Sequence, residues 1–107
     1  MEKTVRDILR SLSITSNYCG YTYILIACKL ILENETRLHH ITKEVYAKVA
    51  EIQNCNMHKV ERNIRTIIFI MWERQREQYY IIAGYKPSAP PTVSEFLSTL
   101  TNYIRTL

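Results

Sequence analysis

The chain has 107 residues, of which 47% are hydrophobic and 22% charged, and its formal net charge is +4. This length and apolar content suit a single domain over residues 1–107 and exclude a chain that is disordered by composition. The positive charge favours an anionic partner, although many globular domains are equally basic. Three cysteines without a Cys-x-x-Cys pair predict a reduced, cytoplasmic protein, and no apolar stretch reaches the roughly 20 residues that span a membrane.

The first two predicted helices supply much of the core. Apolar residues at helical spacing predict a first helix over about residues 4–12 and a second over about residues 19–33. The second helix is apolar on nearly every side, so it should lie at the centre of the fold. We expect Cys19 and Cys28 to be small core residues within it. Residues 34–40 are polar and predict a connector.

A short helix and a long helix follow, separated by a tight turn. The third helix is predicted from Lys43 to about Gln53, with Thr42 as its N-cap. Its apolar stripe consists of Val45, Val49 and Ile52. The fourth helix is predicted over residues 57–76. Together the two helices predict a helix-turn-helix motif over about residues 42–76.

Two asparagines in the turn between these helices have predicted roles. Asn54 tolerates the left-handed conformation that a tight turn needs, and Asn56 is the expected cap of the fourth helix. That helix changes character along its length, because its first half is polar and basic and its second half is apolar on nearly every side. Such a helix has one end to present to a partner and one end to bury.

The C-terminal third of the chain predicts a turn, a loop and a last helix. Residues 77–85 predict a further helical turn that ends at Gly84, and a proline-rich loop follows over residues 86–91. Thr92-Val93-Ser94-Glu95 has the pattern of a capping box before a last helix that ends near Arg105. No segment alternates with the period of a strand, so the predicted fold class is all-α.

The exposed face of the fourth helix carries the strongest functional signal. Arginine fits the O6/N7 edge of guanine and glutamate can accept from cytosine N4, so the adjacent Glu61 and Arg62 suit a C·G step. The N–H groups at the start of the helix would attract a phosphate. The competing interpretation is a merely solvated helix face, which the surrounding helix-turn-helix pattern makes less attractive. The polar residues of this face are His58, Lys59, Glu61, Arg62, Arg65 and Thr66.

The candidates for catalysis or metal binding are weak. His39 and His40 are adjacent, but no third ligand lies at a recognised spacing. Cys55 and His58 could pair as a thiol and its base, but no orienting third group is evident. The sequence therefore predicts no catalytic site, no metal site and no cofactor.

The tyrosines near the C-terminal loop allow a second hypothesis. Tyr79, Tyr80 and Tyr85 could form a partner surface, or they could pack against the Trp72 end of the fourth helix. The first arrangement would suit a protein-interaction module that pairs with a full-length regulator or with RNA polymerase. Salt dependence separates the two hypotheses, because DNA binding weakens steeply with ionic strength and an apolar interface does not.

Several segments resemble one known family. ITKEVYAKVA (41–50), HKVERNIRTII (58–68) followed by MWER (71–74), KPSAPPTVSEFL (86–97) and GYTYILIAC (20–28) resemble its successive motifs. The family is the C-terminal DNA-binding effector domain of the sporulation response regulator, stage zero sporulation protein A. The V-E-R-x-I-R core inside the helix pair is the most specific of these matches, and together the segments cover most of the chain.

The resemblance implies a six-helix bundle that binds double-stranded DNA at short boxes with a GTCGAA-like core. Two copies bind in tandem or as a pair in the family, which implies a homodimer on DNA. The base-reading positions that it implies are Lys59, Glu61 and Arg62. The remaining expected contacts are to the DNA backbone, and they come from Thr42, Lys43, His58, Arg65 and Thr66.

Two features of the sequence depart from the family pattern. The family's regulator carries a phosphorylatable receiver domain ahead of this region, so the chain is expected to be either a fragment or a stand-alone relative. The segment that contacts RNA polymerase sigma factors in the family matches residues 77–86, which are shorter and more aromatic here. The resemblance thus implies a sigma-factor contact less directly than it implies DNA binding.

Overall fold

The computed structural model describes residues 2–107, and within them every regular element is helical. A π-helix runs directly into the third α-helix, so the two form one continuous unit and the fold has six helices. This confirms the predicted all-α class. The elements are α1 (Glu2–Ser11), α2 (Tyr21–Glu33), a 3-10 helix (Glu35–His40), the π-helix (Thr42–Tyr46), α3 (Ala47–Gln53), α4 (Met57–Ala83) and α5 (Val93–Arg105).

One hydrophobic core lies between the helices, and α2 is at its centre as predicted. This helix packs against α1, α3, α4 and α5. Ile24, Ala27 and Ile31 are fully buried along it. The 3-10 helix contributes no buried residue, so it covers the edge of the core rather than extending it.

The predicted core role of Cys19 is wrong, and α2 begins slightly later than the predicted start near residue 19. The helix begins at Tyr21, and Cys19 lies before it with an exposed side chain, whereas Cys28 is buried as expected. Residue 20 is a glycine at which α2 meets α4. A Cβ atom added there would lie 2.8 Å from the backbone oxygen of Asn63, so the close approach of the two helices leaves no room before Tyr21 for a larger residue.

The segment predicted as a connector is helical, which changes the start of the third helix. Asn34 begins the 3-10 helix, and its side chain accepts a hydrogen bond from the backbone N–H of Thr36 at 3.2 Å. Thr42 was predicted to be an N-cap, but it already lies inside the π-helix, and the preceding Ile41 has helical backbone angles. Thr42 therefore makes no cap, because the chain enters this unit from another helix rather than from extended backbone.

The apolar stripe of the third helix is shorter than its spacing suggests. Val45 and Val49 are fully buried, but 58% of the surface of Ile52 is exposed. Periodicity places all three on one face, while burial also requires a neighbouring helix opposite each of them. The last turn of α3 lacks that cover.

The fourth helix is longer than predicted and bent. It runs from Met57 to Ala83 and joins the two predicted segments 57–76 and 77–85 across a kink at Gln75, where φ is −133° and ψ is 34°. The side-chain amide of Gln75 donates to the hydroxyl of Ser13 at 2.8 Å. Gly84 ends the helix at φ 83°, as expected.

None of the helices in residues 2–107 combines the length and the apolar character that crossing a membrane requires.

Candidate nucleic-acid interface

The turn of the helix-turn-helix motif is built as the sequence predicted. Asn54 ends α3 in the left-handed conformation, with φ 53° and ψ 53°. Two residues later the side chain of Asn56 accepts a hydrogen bond from the backbone N–H of His58 at 2.7 Å. This cap fixes the first turn of α4, so the direction in which α4 leaves the motif is set locally.

The first half of α4 presents a polar face because its opposite face is held in the core. Val60 and Ile64 are fully buried, and Ile67 is 2% exposed. These positions fix the rotation of the helix about its axis. Of the six polar residues predicted to be exposed on this face, Glu61 is only partly exposed, at 29%. The other five are exposed as predicted, and they are His58, Lys59, Arg62, Arg65 and Thr66.

A shallow open groove of about 400 Å³ lies between the π-helix and the start of α4. It brings Thr42 together with four of the predicted contact residues on α4, although Thr42 and α4 are distant in sequence. Lys43, Lys59 and Thr66 are exposed nearby without lining this groove. The lining residues are Thr42, Tyr46, Met57, His58, Glu61, Arg62 and Arg65.

Glu61 is the most enclosed of the predicted contact residues. Its side chain is 29% exposed, and its Oε1 lies 3.3 Å from Nη1 of Arg65, one helical turn away. Tyr46 lines the same groove, and its pKa is raised to about 12 by burial and, to a smaller extent, by the charge of Glu61. The phenol of Tyr46 therefore stays neutral at physiological pH, and the Glu61 carboxylate pairs with Arg65 in a groove that Tyr46 also lines.

Other polar groups on this face differ in how free they are to bind. Arg62 is exposed and makes no ion pair within residues 2–107. The hydroxyl of Thr66, by contrast, donates to the backbone oxygen of Arg62 at 3.0 Å. Because a phosphate oxygen only accepts hydrogen bonds, Thr66 would have to rotate before it could bind one.

The start of α4 offers fewer unpaired N–H groups than expected. The N–H of His58 is bonded to the Asn56 side chain, and the N–H of Lys59 is bonded to the backbone oxygen of Asn56 at 3.0 Å. The partial positive charge of the helix end remains. A phosphate would therefore be attracted here mainly by that charge and by side chains, rather than by these two amides.

The alternative metal and thiol sites find no support in the geometry. Within residues 2–107 no three potential metal ligands form a group, and His39 and His40 are exposed on the 3-10 helix. Cys55 donates its thiol to the hydroxyl of Tyr23 at 3.6 Å. Its side chain is thus engaged with α2.

The tyrosine cluster is mainly part of the core. Tyr79 is 1% exposed, stacks on Phe96 at 6.0 Å and meets the edge of Trp72 at 6.5 Å. Tyr80 also packs edge-to-face on Trp72, at 5.9 Å. Of the three tyrosines, Tyr85 is the most open, at 63% exposure. Packing against the Trp72 end of α4 therefore accounts for two of them.

The ion pair between Glu61 and Arg65 was not predicted from the sequence. Its signal was present, because a glutamate four residues before an arginine is the favourable order on a helix. The groove that Glu61 shares with Tyr46 had no such signal, since it depends on how the π-helix packs against α4. A further unexpected feature is Phe69, which is 53% exposed although it lies in the second, apolar half of the fourth helix, the end predicted to be buried.

Comparison with known families gives one match that covers nearly the whole chain. The profile of the family described as "Sporulation initiation factor Spo0A C terminal" matches residues 5–104 of the 107. The match includes every residue of the motif and of the groove. The matched family consists of DNA-binding effector domains and is not a family of enzymes.

Proposed function

Because the chain belongs to the Spo0A C-terminal family of DNA-binding effector domains, we propose that it is a sequence-specific transcriptional regulator. In this proposal the first half of α4 enters the major groove of double-stranded DNA. The target is a short box with a GTCGAA-like core. Since bacterial DNA lies in the cytoplasm, the protein would act there.

The observation that carries the proposal is the division of α4 into a buried and an exposed side. Val60 and Ile64 anchor the helix, while Lys59 and Arg62 extend away from the core. An α-helix with its side chains is about 10–12 Å wide, which matches a major groove about 12 Å wide. The exposed face can therefore reach base edges without unfolding any part of the core.

Three side chains on this face suit contacts to bases. Arg62 can donate two hydrogen bonds to O6 and N7 of guanine, and Lys59 can donate to the same acceptors. Glu61 can accept from N4 of cytosine on one oxygen while the other side of its carboxylate faces Arg65. We assign these three residues to base recognition.

Contacts to the DNA backbone would come from residues around this face. His58 lies at the positive end of α4, and Thr42 lies across the groove from it. Lys43 is exposed beside Thr42. Arg65 retains N–H groups that do not face Glu61, and Thr66 can contribute after its hydroxyl rotates. Such contacts fix the register of the protein on the duplex without carrying sequence information.

Two further expectations concern assembly. In paired or tandem binding, two copies of the protein would occupy two neighbouring boxes on the same DNA. Contact with an RNA polymerase sigma factor would link DNA binding to transcription. Both follow from membership of the family and are proposed here on that basis alone.

The test is a fluorescence-anisotropy titration of labelled duplexes that contain the box or a scrambled box. Arg62→Ala should cost about 1–3 kcal/mol and relax the preference at one base pair. Lys43→Ala should weaken binding equally on all sequences and lower the salt slope by about 1. Lys29→Ala is the matched control, because Lys29 is exposed on α2 outside the motif. Absence of binding to any box-containing duplex at low salt would refute the proposal.

A further inference from the structure

The ion pair between Glu61 and Arg65 suggests that the two residues have different roles in DNA recognition. We propose that Arg65 is a positioning residue that holds the Glu61 carboxylate in place for base recognition. The inference rests on the proposed function, because it concerns how one base-reading side chain is oriented. It assigns to Arg65 a role in specificity in addition to any contact with phosphate.

The first argument is the geometry of the pair. Nη1 of Arg65 lies 3.3 Å from Oε1 of Glu61, and the two residues are four apart on α4. The Arg65 side chain is 54% exposed and that of Glu61 is 29% exposed. Arginine has five N–H donors, so Arg65 can hold one carboxylate oxygen and still offer N–H groups to a phosphate.

The second argument is that Glu61 is partly enclosed within the groove. Tyr46 is 9% exposed and lines the groove together with Glu61 and Arg65. The charge of Glu61 also contributes, after burial, to raising the pKa of Tyr46. With its side chain only 29% exposed and paired with Arg65, Glu61 has fewer directions open to it than a free glutamate on a helix surface.

The third argument concerns charge. A carboxylate that enters a DNA groove approaches two rows of phosphates, which repel it. Arg65 places a positive charge beside the carboxylate, and so offsets this repulsion. It also orders the long Glu61 side chain before binding, so that less conformational entropy is lost when the base contact forms.

A simple phosphate contact by Arg65 makes a different prediction. Loss of a phosphate contact lowers affinity equally on every sequence. Loss of a positioning contact also lowers the discrimination at the base pair that Glu61 reads. That base pair is defined by experiment as the one at which Glu61→Ala abolishes the preference.

The experiment measures dissociation constants for a GTCGAA-containing duplex and for duplexes with single substitutions in the box. The proteins are wild type, Glu61→Ala, Arg65→Ala and the double variant. The control is Arg10→Ala, which removes an arginine that pairs with Asp7 at 3.2 Å on α1, outside the groove. It therefore matches Arg65→Ala in charge change and in loss of an exposed ion pair.

We expect Arg65→Ala to lower the discrimination at the Glu61 base pair by about threefold, in keeping with the strength of an exposed ion pair. In the Glu61→Ala background the same substitution should leave discrimination unchanged. Discrimination at the other base pairs should stay within error, and Arg10→Ala should change none of them. An equal loss on every duplex would overturn the positioning role and leave the proposed function standing. Failure of the wild type to bind any duplex would refute both.

A second measurement tests the pair in the free protein. The NMR order parameter of the Arg65 Nε–H group should exceed that of Arg62 and should fall in Glu61→Ala. Equal mobility of the two arginines in the wild type would overturn the inference without reference to DNA.

Discussion

Gly20 packs tightly against the first half of α4 at the start of α2, and its substitution tests how α4 is held. A Cβ atom at position 20 would lie 2.8 Å from the backbone oxygen of Asn63 and 2.8 Å from Cδ1 of Ile67. Ordinary van der Waals contact begins at 3.4 Å, so the Asn63 backbone would have to retreat by 3.4 − 2.8 = 0.6 Å. The Ile67 side chain can change rotamer, but a backbone oxygen inside α4 moves only with the helix.

Two opposing effects set the size of the change in stability. Forcing extra volume into a packed site costs about 1–3 kcal/mol. Replacing glycine by alanine also lowers the conformational entropy of the unfolded chain, which stabilises the folded state by about 0.4–1 kcal/mol. The φ of Gly20 is −80°, so alanine meets no backbone strain. We therefore expect Gly20→Ala to lower the free energy of unfolding by about 1–2 kcal/mol, which corresponds to about 4–8 °C in Tm.

Urea unfolding followed by circular dichroism measures this change, and Gly84→Ala is the matched control. Gly84 has φ 83° and nothing within 4 Å of an added Cβ. Alanine there should cost about 1–2 kcal/mol through its left-handed backbone alone. At a temperature where both variants are folded, only Gly20→Ala should also weaken DNA binding, because only it displaces α4. A Gly20→Ala protein as stable as the wild type would refute the close-packing argument.

Three further predictions concern the C-terminal half and the core. Thr92→Ala removes the capping box of α5 and should cost about 1 kcal/mol in urea unfolding, whereas no loss would mean that the cap is dispensable. Tyr79→Phe removes the hydrogen bond to Thr99, 3.2 Å long, and should cost about 0.5–1.5 kcal/mol while near-ultraviolet circular dichroism keeps its shape. Burial raises the pKa of Cys28 from 9.0 to about 12 and that of Tyr46 from 10.0 to about 12. Both groups keep their protons in the folded chain when the unfolded chain has released them, so stability should fall as pH rises above about 9. An unfolding midpoint that is constant between pH 8 and 11 would contradict this.

The sequence by itself determined the features that depend on neighbouring residues. The left-handed turn at Asn54, the Asn56 cap, the end of α4 at Gly84 and the capping box at Thr92 were all predicted and are all present. Each depends on hydrogen bonds or backbone angles within a few residues. The same holds for the outward direction of Arg62, which follows from the spacing of buried residues along one helix.

Only the tertiary structure decided which parts of each helix are covered. Ile52 and Phe69 have apolar side chains at or near predicted core stripes, yet both are more than half exposed, because no other helix lies against them. Thr42 has the chemistry of a cap but lies within a helix, because the preceding segment is itself helical. Propensity describes a residue and its neighbours in sequence, and it contains no information about which helix lies opposite.

The candidate interface shows the same division. Periodicity placed Glu61 and Arg62 at the front of α4. The packing of the π-helix against α4 decided that Glu61 is only 29% exposed, in a groove that Tyr46 also lines, while Arg62 stays exposed. That difference arises because the burial and charge environment of a side chain depend on every segment within a few ångströms, and residues 46 and 61 become neighbours only when the chain folds.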